Sequence, residues 1–379
     1  MRVAIFTDND FDKINGVTTT LTAVLRHAPP DLSPRIYTAA ALGADQPDYL
    51  ALRSFGVGIP FYREMKMYVP HWRQYLDRVR SDGIDVIHLT TPGPLGLVAL
   101  WVAAHASLPL VGSFHTDLSA YTRLLSGSDR LGNLMQQYMR WMYGHCRRVL
   151  VPSESTRLLL EAAKCPPDRI RIWSRGVDTE LFAPERRSQQ LRDDWRASDD
   201  RPVLLYVGRL SKEKGLALLP ALQAALVRRG LNHRLVIAGD GPMRRQLADE
   251  CPEAVIMGPL GREDVARAFA SADLFVFPSE TDTAGNVVLE AQASGLPVVV
   301  SSAGGPKEQM RPGATGAVCD DRDPETWAEA IAALLQPPVH AAAASAALEY
   351  ARSRRWDVAL APLFDAYREI GERRAPRAA

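Results

Sequence analysis

The chain reads as α/β, built from two doubly wound parallel sheets in succession. Two observations predict this. Short apolar runs of strand length recur twelve times, six in each half, with helical stretches between them. Runs that are apolar at every position mark strands buried on both faces, as in parallel sheets covered by helices. The second observation is length: 379 residues exceed what one hydrophobic core usually serves, so two domains are the default.

In chain order the first-half strands are expected at 3–7, 35–39, 86–90, 110–114, 149–153 and 170–173. The second half repeats the rhythm at 203–208, 235–239, 254–258, 274–278, 298–302 and 316–319. Between the halves, 185–201 (ERRSQQLRDDWRASDDR) is polar and highly charged without strand signal, and is the expected linker. Domains are therefore expected at 1–184 and 185–353. The tail is helical from about Trp327, with an alanine-rich run at 340–347. A final amphipathic helix near 357–372 carries Leu360, Leu363, Phe364 and Tyr367 on one face.

Charge and composition exclude several classes. A net charge of +1 argues against wholesale nucleic-acid binding. Cys146, Cys165, Cys251 and Cys319 are far apart without a CxxC pair, as expected of reduced structural thiols in a cytoplasmic protein. The start, MRVAIFTDND, turns acidic after one short apolar run and does not read as a signal peptide. The longest apolar segment, 95–104, is too short to span a bilayer, so any membrane contact is expected to be peripheral.

Ligands of doubly wound sheets bind beyond the carboxyl ends of the strands, so the loops leaving each strand carry the chemistry. After 274–278, Asp282 and Glu290 lie eight positions apart and bracket a helix start at Gly285-Asn286-Val287. Gly295 suits the C-terminal cap of that short helix. Two carboxylates for hydroxyls and a helix N-terminus for an anion suit a sugar nucleotide; an ordinary βα loop with a buried Glu is the alternative. After 203–208 come Arg209 and Lys214, then Gly215 at a helix start. Two cations with free N–H groups make a diphosphate clamp without a metal, the alternative being a solvated basic loop. Lys212 is the bland member of that loop. Gly239 leads into the tight turn Asp240-Gly241-Pro242, and Gly258, Pro259 and Leu260 offer backbone groups to a nucleobase edge. In the first half, Gly16 precedes a helix beginning near Val17, as an anion site or a plain helix start. His115 stands at a strand's carboxyl end, where it is expected to face ligand rather than core, the alternative being a structural histidine. His88 lies inside a strand as a satisfied core or wall residue, and His145 at a helix end as a cap.

These residues sit in longer wordings: NGVTTTL at 15–21, SFHTD at 113–117, PSEST at 152–156, WSRGVDTELF at 173–182, YVGRLSKEKG at 206–215, AGDGP at 238–242 and DTAGNVVLEAQASGLPVV at 282–299. Together they resemble the retaining glycosyltransferases of family 4, nearly end to end. WSRGVD and GNVVLEA look most like the mannosyl- and hexosyltransferases of bacterial glycolipids and like sulfoquinovosyl-diacylglycerol synthases. The resemblance implies the GT-B fold, two Rossmann-like sheets facing across a cleft, with the last helix (about 354–379) returning to the first domain. It implies a nucleotide-sugar donor, GDP- or UDP-linked, bound by the second domain without metal or other cofactor, and a lipid-linked or sugar acceptor met by the first. By position, Arg209 and Lys214 hold the diphosphate, the Gly16 backbone approaches its distal phosphate, Glu290 takes the ribose hydroxyls, Asp282 the transferred sugar, and His115 lines the reaction centre. The implied mechanism is front-face, the leaving phosphate helping to deprotonate the acceptor.

Three positions depart from that pattern. Asp282 stands where Glu is usual, Ala284 where an aromatic is common, and Arg175 where many relatives have Asn. The first two leave the donor sugar open. Soluble acceptors, a nucleotide-sugar epimerase, a phosphorylase and a non-catalytic nucleotide-sugar binder are the other readings. Peripheral docking on an anionic membrane at the inner face of the cell membrane is expected from two basic segments with interleaved aromatics, the alternative being aromatics packed inward and solvated arginines. Residues 63–80 carry five basic against two acidic side chains, and 123–148 carry five against one.

Overall fold

The computed structural model describes residues 1–9, 11, 15–41, 43–59, 62–320 and 322–372, with only the backbone at 57–59 and 62–67. Two compact units result: Met1–Ser174 with Ala359–Ala379, and Arg175–Val358.

All twelve expected strands form, each within two residues of its expected ends. The first unit holds β1 (Arg2–Phe6), β2 (Ser33–Ala40), β3 (Ala44–Asp45), β4 (Tyr49–Arg53), β5 (Phe55–Ile59), β6 (Tyr62–Val69), β7 (Val86–Leu89), β8 (Leu110–Ser113), β9 (Arg148–Val151) and β10 (Ile170–Ile172). Eight of them make one sheet in the order β10-β9-β8-β7-β1-β2-β4-β3, parallel except for the short β3, while β5 and β6 pair as a separate antiparallel hairpin. The β3–β6 segment is an addition to the expected fold. Val3, Ala4, Ile5 and Phe6 are fully buried, as a central strand covered on both faces requires.

The second unit is a six-stranded parallel sheet of β11 (Val203–Val207), β12 (Arg234–Ala238), β13 (Val255–Gly258), β14 (Leu274–Phe277), β15 (Val298–Ser301) and β16 (Gly316–Cys319). Its order is β13-β12-β11-β14-β15-β16. Counted within the unit this is 3-2-1-4-5-6, the doubly wound arrangement whose order reverses between the first and fourth strands. The loops leaving β11 and β14 therefore emerge side by side.

The expected linker is not one. The units part at Ser174 and Arg175, ten residues before it, and 185–201 folds onto the second unit. Ser188 caps a short helix, Gln189–Asp194, by accepting from Leu191 N–H, and Trp195 beyond it is buried. Arg192 Nη1 donates to the Ser271 carbonyl at 3.0 Å and to both oxygens of Asp273 at 3.1 and 2.9 Å. Asp273 also accepts from Val203 N–H at 2.8 Å, which ties the segment to the start of β11. One of the charges that suggested a linker, Arg192, is an interior clamp.

The final helix divides into Trp356–Ala359 and Ala361–Glu372, and from Ala359 it belongs to the first unit. Leu363, Tyr367 and Ile370 face inward; Glu369 pairs with Arg148, and Arg368 with Asp31 at 2.8 Å. Of the segment expected at a membrane, Tyr75 turns inward instead and donates to the Thr38 carbonyl, while Arg78 pairs with Asp45. The residues Tyr62, Arg63, Met65, Lys66 and Met67, also expected there, have side chains outside the described ones.

The clamp makes a testable claim. Asp273→Ala leaves the buried Arg192 guanidinium without its carboxylate, a change that typically costs about 3–5 kcal/mol. Denaturant unfolding followed by tryptophan fluorescence should show a loss of that size, and a loss under about 1 kcal/mol would mean that solvent replaces the carboxylate.

Candidate active site

In the second unit the two expected cation and carboxylate loops meet. Lys214 Nζ donates to both carboxylate oxygens of Asp282, each at 2.8 Å, with both side chains largely enclosed. Ser211 Oγ donates to Glu213 at 2.5 Å, and Thr281 Oγ1 donates to the Glu213 carbonyl at 3.0 Å, locking the β11 loop against the β14 loop. Arg209 heads the same loop, its carbonyl accepting from the Tyr206 hydroxyl at 3.0 Å. Lys212 is exposed, whereas Lys214 faces the pair. Geometry thus separates two lysines that the sequence spaces alike.

The loop after β15 braces Asp282 from behind, since Gly305 N–H donates to the Asp282 carbonyl at 2.9 Å. Gly285 begins the helix Asn286–Ala293 at φ 78°, a left-handed conformation that glycine adopts without strain, and no side chain caps that helix. Asn286 and Val287 form its first turn and Glu290 lies on its second, half-buried. Burial raises the Glu290 carboxyl to about 7, against the opposing charge of Arg262. On the other side of β11, Gly239 at φ 140° has no room for a Cβ, which would lie 1.9 Å from the Gly208 carbonyl oxygen. Its N–H donates to the Gly258 carbonyl at 2.8 Å, so the β12 and β13 turns with Pro259 and Leu260 join the same rim. These residues follow five different strands, and the parallel sheet collects them on one edge.

In the first unit His115 follows β8. Its Nε2 lies 2.8 Å from Ser113 Oγ, which lies 2.9 Å from His88 Nε2, and His88 Nδ1 lies 2.6 Å from the Tyr367 hydroxyl. The buried Trp173 stands edge-on to both rings, 5.9 Å from His115 and 6.4 Å from His88. Burial pushes His88 down to about 3, so it is neutral, and pushes the Tyr367 phenol well above its usual value. Gly16 is the first residue of the helix Gly16–Arg26, but Asn15 caps that helix and accepts from the Val17 and Thr18 N–H groups. A helix start that already holds its own cap offers an anion fewer donors than the sequence suggested; Asp12 and Lys13 beside it lie outside the described residues. His145 is the C-cap of Asp129–Gly144, its Nδ1 2.8 Å from the Trp141 carbonyl.

Sequence reasoning missed Ser113, Trp173 and Tyr367 as partners of His115, and Arg262 as the charge near Glu290. Ser113 and Trp173 stood inside quoted wordings, yet nothing in their spacing joins them to His115. Among the described residues no group of His, Cys, Asp and Glu side chains could hold a metal ion. Nor is any single described helix long and apolar enough to cross a membrane.

The elevated Glu290 acid has a signed consequence. Its folded-state preference for the protonated form adds stability that is present below pH 4.5 and is lost as pH rises through about 7. An NMR titration of the Glu290 carboxyl carbon should give a midpoint near 7, and Glu290→Gln should flatten the stability profile across that interval. A midpoint near 4.5 would mean that the site is fully hydrated.

Comparison with known proteins agrees with this geometry. Residues 14–181 match the family described as Glycosyltransferase Family 4, and residues 201–337 match Glycosyl transferases group 1. A GDP-mannose-dependent alpha-mannosyltransferase of Mycobacterium tuberculosis is 32% identical over 391 residues, spanning 100% of this chain and 99% of its own. One of the same description from Corynebacterium glutamicum is 30% identical over 377 residues, covering 98% and 89%. An alpha-monoglucosyldiacylglycerol synthase of Streptococcus pneumoniae is 26% identical over 316 residues, covering 79% and 70%. Sucrose-phosphate synthase from Thermosynechococcus elongatus superposes with a TM-score of 0.77 at 18% identity, over 98% of this chain and 99% of that one, which shows a shared fold. The chain is a glycosyltransferase of family 4, with the GT-B fold.

Proposed function

We propose that this enzyme transfers mannose from GDP-mannose to a hydroxyl of a lipid-linked acceptor, with retention at the anomeric carbon and without a divalent metal. The observation that carries the reading is the Lys214–Asp282 pair, an ammonium and a carboxylate held together at the point where the strand order reverses. The descriptions of the Mycobacterium and Corynebacterium relatives favour GDP-mannose, and that of the Streptococcus relative favours a lipid acceptor.

In this proposal Lys214 and Arg209 bind the diphosphate while Asp282 accepts from hydroxyls of the sugar. Glu290 accepts from the ribose hydroxyls, the Asn286–Val287 helix end and the Gly16 backbone approach the phosphates, and Gly239, Gly258, Pro259 and Leu260 meet the nucleoside. His115 touches the transferred sugar. The bond from the anomeric carbon to the phosphate oxygen breaks, the acceptor oxygen bonds to that carbon on the same face, and its proton passes to the leaving phosphate. The largest contribution is stabilisation of charge on the departing diphosphate, which the two cations supply.

Turnover of GDP-mannose with a polyprenyl or diacylglycerol acceptor tests this. Lys214→Ala should lower turnover on the order of 10²–10³-fold, the usual effect of losing one transition-state donor, while Lys212→Ala stays near wild type. Activity should persist in excess chelator. Equal small losses from both lysines, or magnesium-restored activity after chelation, would contradict the clamp.

The proposal places the enzyme in the cytoplasm, docked on the inner face of the cell membrane through 118–147. On the helices Leu118–Ser126 and Asp129–Gly144, Leu124, Leu131, Leu134 and Trp141 are about half exposed, Arg130 and Arg140 are exposed among them, and Arg147 is exposed just beyond the second helix. Residues 131, 134 and 141 share one helical face. Arg123 and Arg148 are engaged elsewhere, with Asn133 and Glu369. Three basic residues at roughly 1 kcal/mol each, with one tryptophan, suit reversible docking. Flotation should require anionic lipid, fade with salt and weaken for Leu134→Ser with Trp141→Ser; flotation indifferent to all three would return the acceptor to soluble sugars.

A further inference from the structure

The first unit contains a buried polar array that ends on His115. It starts on the final helix at Tyr367, runs through His88 in β7 and Ser113 at the end of β8, and closes on His115 just beyond that strand. Tyr367, His88 and Ser113 are each wholly buried. Four polar groups in an otherwise apolar layer are costly unless every proton has an acceptor, and that requirement fixes the direction of each bond.

We propose that Tyr367, His88 and Ser113 are positioning residues that set the tautomer and ring orientation of His115. This rests on the reading above that His115 touches the transferred sugar. The phenol is the better donor and gives its proton to His88 Nδ1. His88 is neutral and has one N–H, which must then be on Nε2 and donate to Ser113 Oγ. The serine has a single hydroxyl proton, which it gives to His115 Nε2. His115 Nε2 is thereby an acceptor, and the neutral ring carries its proton on Nδ1, on the opposite side from the array. Trp173, edge-on to both rings, blocks them from turning. The last helix thus does more than cover β7: its tyrosine determines which nitrogen of a loop histidine presents a donor.

The test reads the tautomer and the chemistry separately. In ¹⁵N-histidine-labelled enzyme, His115 should show a protonated Nδ1 and an unprotonated Nε2. Tyr367→Phe removes one hydroxyl at constant shape, and Ser113→Ala removes the last link without adding volume. Each should move His115 toward the Nε2–H tautomer and lower kcat on the order of 10–10²-fold, as expected of a displaced reacting group. The dissociation constant for the bare nucleoside diphosphate should stay unchanged, since neither substitution alters its proposed ligands, which are in the other unit apart from the Gly16 backbone. Variants that lose stability while His115 keeps its tautomer would overturn the proposal. His115→Ala in the same assay separates the two layers. A large fall in kcat for His115→Ala with no tautomer change in Tyr367→Phe sinks the positioning role and leaves the functional reading standing. Near-normal kcat for His115→Ala sinks both, whatever the tautomer does.

Discussion

A parallel sheet sends every outgoing loop to one edge, and where the strand order reverses, two of those loops diverge to opposite faces and leave a gap. In the second unit that reversal falls between β11 and β14. What the second unit contributes to the site follows from it. Lys214 leaves β11, Asp282 leaves β14, and the two meet although 68 residues separate them. The helix beginning at Asn286 starts in the same gap, so its N-terminus and Glu290 arrive with them. Glycines at 239 and 304 serve the same constraint by letting neighbouring loops approach backbone to backbone.

The ion pair involves one of the departures from the family pattern. Asp282 is one methylene shorter than the Glu usual there, and it sits against the Lys214 ammonium with both oxygens. A carboxylate held by a lysine is pre-oriented before any ligand arrives, and a lysine held by a carboxylate has less rotamer freedom left to lose on binding a phosphate. The residue proposed to hold the sugar and the residue proposed to hold the diphosphate are therefore one electrostatic unit. Burial places a carboxyl of raised pKa, Glu290, on the helix that follows Asp282.

The parallel strands were legible because apolar runs such as 203–207 and 274–277 are of strand length and rich in β-branched and aromatic residues. Loops with chemistry were legible because the doubly wound fold dictates where to look. The hairpin β5–β6 was not, since its segment 62–69 alternates charged and apolar residues and reads equally well as an interfacial stretch. Segment 185–201 was misread because composition cannot distinguish a solvated arginine from Arg192, whose partner Asp273 is remote in sequence. The Lys214–Asp282 contact was out of reach for a related reason: each residue was identified, but their pairing depends on strand order. His88 and Tyr367, 279 residues apart, are joined only by the return of the last helix.

The central claim is that Lys214 and Asp282 act on the donor as one unit. A double-mutant cycle on nucleotide-sugar affinity tests it most directly, with Lys214→Met, Asp282→Asn and the double variant measured by calorimetry. Residues in one network typically couple by about 0.5–3 kcal/mol, whereas independent sites add within about 0.3–0.5 kcal/mol. The account predicts coupling of about 1 kcal/mol or more, the double variant losing clearly less than the sum of the singles. Strict additivity would show that the pair seen in the free enzyme is incidental to the way the donor is held.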